Sequence, residues 1–146
     1  MSYLPAGVPS PEPTIDDQPF WDYCAAGELR FQRCPDCARF RHPPAPACPH
    51  CHSFRSEYVR APDEAELFSF TIVHHAAHPA VAGTLPYNVA IVLFRPLDNV
   101  RLVSNIVDVA PADIRIGMRL HLVWEEAASG MKIPRFAAHA AKAGPA

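Results

Sequence analysis

Four cysteines carry the clearest chemistry in this sequence. Cys34 and Cys37 form one Cys-x-x-Cys pair and Cys48 and Cys51 a second, with ten residues between the pairs. Each pair can form a tight knuckle that presents two thiolates to one ion. A hairpin between the pairs brings the second knuckle to the remaining tetrahedral positions. This is zinc-ribbon spacing. Four thiolates close the coordination shell against water, so the expected ion, one zinc per chain, holds structure and does not catalyse.

Other uses of these thiols fit less well. A redox Cys-x-x-Cys explains one pair and leaves the other idle. Disulfides need an oxidising compartment, and nothing in the sequence indicates one. A rubredoxin-type iron site takes the same ligands, and spacing does not separate the two metals. His50 and His52 read as surface histidines beside a complete ligand set. Cys24 stands alone in Pro19–Gly27 and reads as a small buried apolar residue of a short helix.

Beyond the cysteines, His74, His75 and His78 form one titratable cluster. Histidine is chemically suited to acid–base work near neutral pH. They lie at the end of a predicted strand and in the loop after it, and a polar loop at a barrel mouth is the preferred reading of them. No glycine-rich phosphate loop, serine elbow or paired-carboxylate motif occurs, so no residue is assigned a catalytic role.

The elements that must position these residues follow from composition and pattern. The 146 residues suit one ordinary domain with a metal-held module. Seventeen prolines argue against a mostly helical fold, since an interior proline costs a helix ~3 kcal/mol. The net charge of −2 argues against a dedicated nucleic-acid binder, which usually carries a strongly basic face. No apolar run is long enough to span a membrane, and no basic segment leads into an apolar stretch. The chain is therefore expected in the cytoplasm.

Residues 1–15 hold Pro5, Pro9, Pro11 and Pro13 and read as an extended or disordered arm. A helix is predicted over about Asp17–Gly27, capped by Asp16 or Asp17 and ended by Gly27. The ribbon is placed at 29–60, with Leu29–Arg33 entering the first knuckle and Pro43–Pro46 as a stiff return path. A barrel domain is placed at 61–138 and a tail at 139–146. Five strands are predicted: Leu67–His74, Tyr87–Phe94, Val100–Val107, Arg119–Glu125 and Met131–Ala137. In the first, Phe68, Phe70 and Ile72 are expected on one face. Pro96–Asn99 reads as a turn, and Ala110–Gly117 as a short helical piece between strands three and four. That order matches an OB-fold barrel, with an SH3-like barrel as the competitor. The predicted class is mainly β: an N-terminal helix, a four-Cys rubredoxin-like zinc ribbon, then a five-stranded OB-fold barrel.

This order resembles the family known as domain of unknown function 35, the acyl-CoA-associated OB-fold proteins with a rubredoxin-like zinc ribbon. The resemblance runs from about Phe20 to Phe136. It is carried by Phe20-Trp21 with Gly27, Arg33-Cys34-Pro35-Asp36-Cys37, Pro43-Pro44 before Cys48-Pro49-His50-Cys51, and Leu67-Phe68-Ser69-Phe70-Thr71. It continues in Leu85-Pro86-Tyr87, Ile116-Gly117-Met118 and Ile133-Pro134-Arg135-Phe136. It implies an auxiliary subunit partnered with a thiolase-fold enzyme, a thiolase-like aldolase or a hotdog-fold enoyl-CoA hydratase. The barrel would help bind a CoA ester and the ribbon would help hold the partner. The chain departs from the family where glycine commonly follows the second cysteine of each knuckle, because Ala38 and His52 stand there. Ala45 also stands where an arginine often follows Pro-Pro.

A CoA ester needs cations for its phosphates and an apolar channel for its pantetheine arm. Arg39, Arg41, Arg95, Lys132 and Arg135 are the scattered basic candidates. The residues put forward for CoA or partner contact are Arg41, His74, His75, Arg135 and Phe136. A single-stranded nucleic-acid binder is the alternative that OB folds and zinc ribbons also allow.

Overall fold

The computed structural model describes residues 2–139; most of the predicted tail lies outside them. Helix α1 spans Gln18–Ala25. Asp17 sits at its N-cap, but its carboxylate accepts from the Thr14 N–H and hydroxyl instead of capping the helix. The other end follows the sequence: Gly27 adopts φ +77, and the Gly27 and Glu28 N–H groups reach back to the Cys24 and Tyr23 carbonyls. This reciprocal pair satisfies carbonyls that the last turn would leave open.

The ribbon is a three-stranded antiparallel sheet in the order β2-β1-β3, with β1 at Arg30–Arg33, β2 at Phe40–Arg41 and β3 at Glu57–Arg60. Strand β3 has no counterpart in the sequence reading. Its four residues lack an apolar alternation, and pairing with β1 makes it a strand.

The barrel contains β4 (Glu64–Val73), β5 (Tyr87–Phe94), β6 (Val100–Ser104), β7 (Ile106–Val107), β8 (Arg119–Glu126) and β9 (Lys132–Ala138). Their order is β6-β5-β4-β8-β9-β7. The predicted third strand breaks at Asn105, and its second half turns to pair in parallel with β9, Ile106 opposite Phe136. That parallel pairing closes the barrel. A 3-10 turn at Pro111–Asp113 lies between strands three and four, as the OB order requires.

One predicted face is corrected. Leu67 pairs with Val92 and Ser69 with Ile91, so Phe68 is the extra residue of a β-bulge. The bulge keeps Phe70 and Ile72 packed against the core and throws Phe68 outward, where the Arg101 guanidinium lies 3.9 Å from its ring centroid. The Asp98–Asn99 turn between β5 and β6 takes positive φ at both residues, which Asp and Asn tolerate.

One hydrophobic core runs through all three parts. Phe20 and Cys24 of α1 and Leu29 and Phe31 of the ribbon join Leu67, Val92, Phe94, Leu120 and Phe136 of the barrel. Outside the core, the Phe40 N–H donates to the Asp98 carboxylate, tying the ribbon to the β5–β6 turn. The proline-rich arm lies against the barrel. Ser2 and the Tyr3 N–H donate to Glu125, the Tyr3 hydroxyl meets Asn88, and Ser10 bonds Ser129. Among the described residues no helix is long and apolar enough to cross a membrane.

Candidate metal centre and seam cleft

The two knuckles share one hydrogen-bond pattern. The Cys34 N–H donates to Arg39 O, and the Ala38 N–H to Cys34 O; the Cys48 N–H donates to Ser53 O, and the His52 N–H to Cys48 O. Each first cysteine sulfur accepts two backbone N–H groups, from Asp36 and Cys37 onto Cys34 and from His50 and Cys51 onto Cys48. Each second cysteine accepts one, from Arg39 onto Cys37 and from Ser53 onto Cys51. Such a cradle favours thiolate over thiol, but burial and the neighbouring sulfurs outweigh it at the second cysteines, raising Cys37 and pushing Cys51 up to about 12. At Cys48 the Cys51 N–H outweighs burial and brings the thiol down to about 6.

The four sulfurs fit a single ion. All lie within 4.8 Å of one another, with Cys34 to Cys51 at 3.5 Å and Cys37 to Cys48 at 3.6 Å. Four sulfurs at ~2.3 Å from a tetrahedral zinc stand about 3.8 Å apart, so the set is close to the required shape. Those separations are far longer than a disulfide of ~2.05 Å. Zinc bound here would neutralise four crowded thiolates and pin the two knuckles to each other. Ala38 and His52, which stand where glycine is common in the family, adopt φ +62 and +66, the left-handed conformation that glycine enters most easily. At both places the residue's own N–H donates back to the first cysteine's carbonyl, a bond that goes with this conformation.

Cys24 is fully buried in α1, and burial pushes its thiol up to about 12. It is a core residue without nucleophilic character.

The contact candidates separate. His74 and His75 are exposed on the loop after β4, and His78 uses Nδ1 to accept from Ala80 N in the next turn. The structure brings the three to no common partner. Phe136 is 0% exposed and packs on Phe94 at 6.0 Å, so its side chain belongs to the core and is not a surface contact. Arg41 is only 7% exposed and donates to Ala45 O from one nitrogen, while its Nε and Nη1 have no protein partner. Arg95 is held by Glu66 in a two-pronged pair. Arg39 is exposed, and Lys132 is half-buried beside Gly27.

Arg135 is 8% exposed and sits where several elements meet. Its Nη1 donates to Asn105 Oδ1 and its Nη2 lies 3.3 Å from Glu125 Oε1, while Nε has no protein partner. Burial works to raise the Glu125 carboxyl. The Tyr3 N–H, the Ser2 hydroxyl and the Arg135 guanidinium outweigh it and hold the group below its ordinary value.

Arg135 also lines a cleft of about 340 Å³ along the seam between α1, the ribbon and the barrel. Phe20 and Trp21 form one wall, His42, Pro43 and Pro44 a second, and Leu102, Val103, Ile133 and Pro134 the third. Asp17, Arg101 and Ser104 add polar points. The lining is mostly apolar with a few convergent polar groups, the usual character of a ligand site. Burial pushes the His42 imidazole down to about 4, with Asp17 only partly opposing it, so His42 enters this wall neutral.

Sequence reasoning missed this cleft because its walls come from three separated segments. It also missed Asn88, which bonds the Tyr3 hydroxyl, the Ile106 N–H and the Ile106 carbonyl at the strand break. The available signal was one amide inside the otherwise apolar Tyr87–Phe94 run.

Comparison with known proteins agrees with this geometry. A family profile described as "ChsH2, rubredoxin-like zinc ribbon domain" matches residues 21–57, and one described as "ChsH2, C-terminal OB-fold domain" matches 58–125. A "probable enoyl-CoA hydratase alpha subunit" of Thermomonospora curvata is 42% identical over 129 residues, covering 86% of this chain and 39% of that protein. A Mycobacterium tuberculosis "3-oxo-4,17-pregnadiene-20-carboxyl-CoA hydratase alpha subunit" is 36% identical over 138 residues, covering 85% of this chain and 42% of that one. The chain thus spans about two-fifths of both curated relatives. A solved structure described as "Ltp2-ChsH2(DUF35) aldolase" has a TM-score of 0.80 and 37% identity, covering 88% of this chain and 98% of that one.

Proposed function

Because the chain belongs to the DUF35 family, in its ChsH2 form of a rubredoxin-like zinc ribbon joined to an OB-fold domain, we propose that it is an accessory subunit of an acyl-CoA-processing enzyme complex. Its work is to assemble with the catalytic subunit and help bind the CoA ester. The catalytic chemistry belongs to the partner, which we take to be a thiolase-fold enzyme or a thiolase-like aldolase. The aldolase reading is supported by likeness to a solved aldolase complex, at a TM-score of 0.80 and 37% identity. A hotdog-fold hydratase partner is the second reading, favoured by the names of the two curated relatives. The complex is placed in the cytoplasm, where metal-ligating thiols stay reduced.

The observation that carries the ligand half of this reading is the seam cleft. Its apolar walls and about 340 Å³ suit the narrow pantetheine–acyl part of a CoA ester, and Arg101 and Arg135 offer cations beside it. The remaining phosphate contacts fall to the partner, because this chain clusters few free cations. Calorimetric titration of the chain alone and with the aldolase subunit, using a short acyl-CoA, tests the assignment. Tighter binding to the pair, weakened at least fivefold by Val103→Trp in the cleft wall, is expected. A chain that stays alone beside both candidate enzymes and leaves their turnover unchanged contradicts it.

A further inference from the structure

Two aromatic side chains are exposed among the described residues, Phe54 and Phe68, and Phe68 already lies under Arg101. Phe54 is 83% exposed, at the tip of the ribbon just past the last metal ligand. Nothing among the described residues packs over it, yet the backbone on both sides of it is tied down. The Ser53 carbonyl accepts the Cys48 N–H at 2.8 Å. The Ser53 hydroxyl donates to one oxygen of Asp36, and the Arg55 guanidinium donates to the other at 2.5 Å. The Arg55 N–H donates back to the Ser53 hydroxyl at 3.1 Å. Asp36 belongs to the first knuckle, so the loop bearing Phe54 is clamped to both halves of the metal centre.

An exposed aromatic held on a pre-ordered loop gives up little conformational freedom on binding. It is the kind of residue that dominates interface energetics. The charge around it limits what it can meet. Residues 29–60 carry six arginines against Asp36 and Glu57, while the rest of the chain is acidic. Arg30, Arg33 and Arg55 are paired with Glu28, Glu57 and Asp36, and Arg41 is buried. Arg39 and Arg60 are left outside any ion pair among the described residues. Arg60 lies at the far end of β3, opposite Arg30. Arg39, whose N–H meets Cys37 Sγ, is therefore the unpaired cation at the metal centre that Phe54 adjoins. One aromatic with one cation is too sparse for a strand of phosphates, which needs successive stacking and charge. It suits an apolar socket with an acidic rim.

We propose that Phe54 is the anchor by which the ribbon docks on the catalytic subunit, entering an apolar pocket whose acidic rim faces Arg39. This rests on the accessory-subunit reading and adds to it the residue and the chemistry of the contact.

The test measures association of the chain with the aldolase and hydratase subunits of its own source organism, for wild type and for Phe54→Ala, Phe54→Glu and Phe54→Trp. Zinc content and melting temperature are recorded for each, and both should be unchanged, since Phe54 supports nothing in the fold. A loss of about 30-fold or more in affinity for Ala and Glu, the size expected of a hot spot, with Trp largely retained, supports the anchor. Binding of Phe54→Ala within twofold of wild type overturns the anchor and leaves the complex intact. Wild type binding neither enzyme overturns the accessory-subunit reading together with the anchor. Salt-sensitive binding of a single-stranded oligonucleotide, abolished by Phe54→Ala, makes Phe54 a stacking platform and overturns the protein-docking assignment.

Discussion

Phe31 of the zinc ribbon and Phe94 of the barrel meet with ring centroids 5.0 Å apart, both at 0% exposure. The metal module and the barrel therefore bury the same surface, and neither closes its core without the other. Metal ligation considered alone would have the ribbon unfold ahead of the barrel; this contact argues for a joint transition.

Removing the metal should destabilise the whole chain. Chelation, or Cys37→Ser, is expected to lower the melting temperature of the tryptophan and far-ultraviolet signals together, because metal binding and folding are coupled. Elemental analysis should return about one zinc per chain. A barrel signal that melts unchanged after chelation would falsify the shared-core account.

Ala38 holds a left-handed backbone that glycine adopts freely. Ala38→Gly should stabilise the metal-bound chain by about 1 kcal/mol, the scale of the penalty for a Cβ in that region. Thermal melts at fixed free zinc check the sign. A lower melting temperature would mean that the entropy lost by glycine on folding outweighs the relief.

Acid should weaken the fold through His42. Its imidazole sits near 4 when folded and near 6.5 when unfolded. Between those values the unfolded state binds more protons, so stability falls as pH drops from about 6.5 to 4. The slope integrates to at most about 3 kcal/mol. His42→Phe, which keeps a ring against Phe20 and Phe31, should flatten this pH profile; an unchanged profile points to another group.

Asn88 and Glu125 hold the start of the arm, and Ser129 holds it further on at Ser10. Asn88→Ala should cost about 2–4 kcal/mol, because it strands the buried Ile106 N–H and loses the Tyr3 hydroxyl. Glu125→Ala should release Ser2 and Tyr3 and leave Arg135 short of its carboxylate. Limited proteolysis within residues 4–13 should quicken in both variants. Cleavage as slow as in wild type would mean that apolar contacts and the Ser10–Ser129 bond hold the arm without Asn88 and Glu125.

The cysteine set, the helix with its glycine stop and four of the five predicted barrel strands were legible in the sequence, since ligand spacing, helix ends and apolar alternation are local signals. What was not legible depends on distant partners. Strand β3 exists because β1 is beside it. The break at Asn105 exists because β9 offers Ile106 a parallel partner. The Phe68 bulge reverses a face that period-two counting assigns, and no residue type in Leu67-Phe68-Ser69 announces it. The placement of Phe136 and Arg41 inside the molecule follows from the closure of the barrel and the packing of α1 on the ribbon, neither of which a motif contains.

The bulge has a practical side in the test tube. By turning Phe68 outward beside the open edge of β6, it leaves an aromatic and the exposed Val103 on one flank of the barrel, screened by the single guanidinium of Arg101. Shelf life and colloidal behaviour of the purified chain then hang on that one cation. Arg101→Ala samples should turn cloudy on concentration where Arg101→Lys samples stay clear.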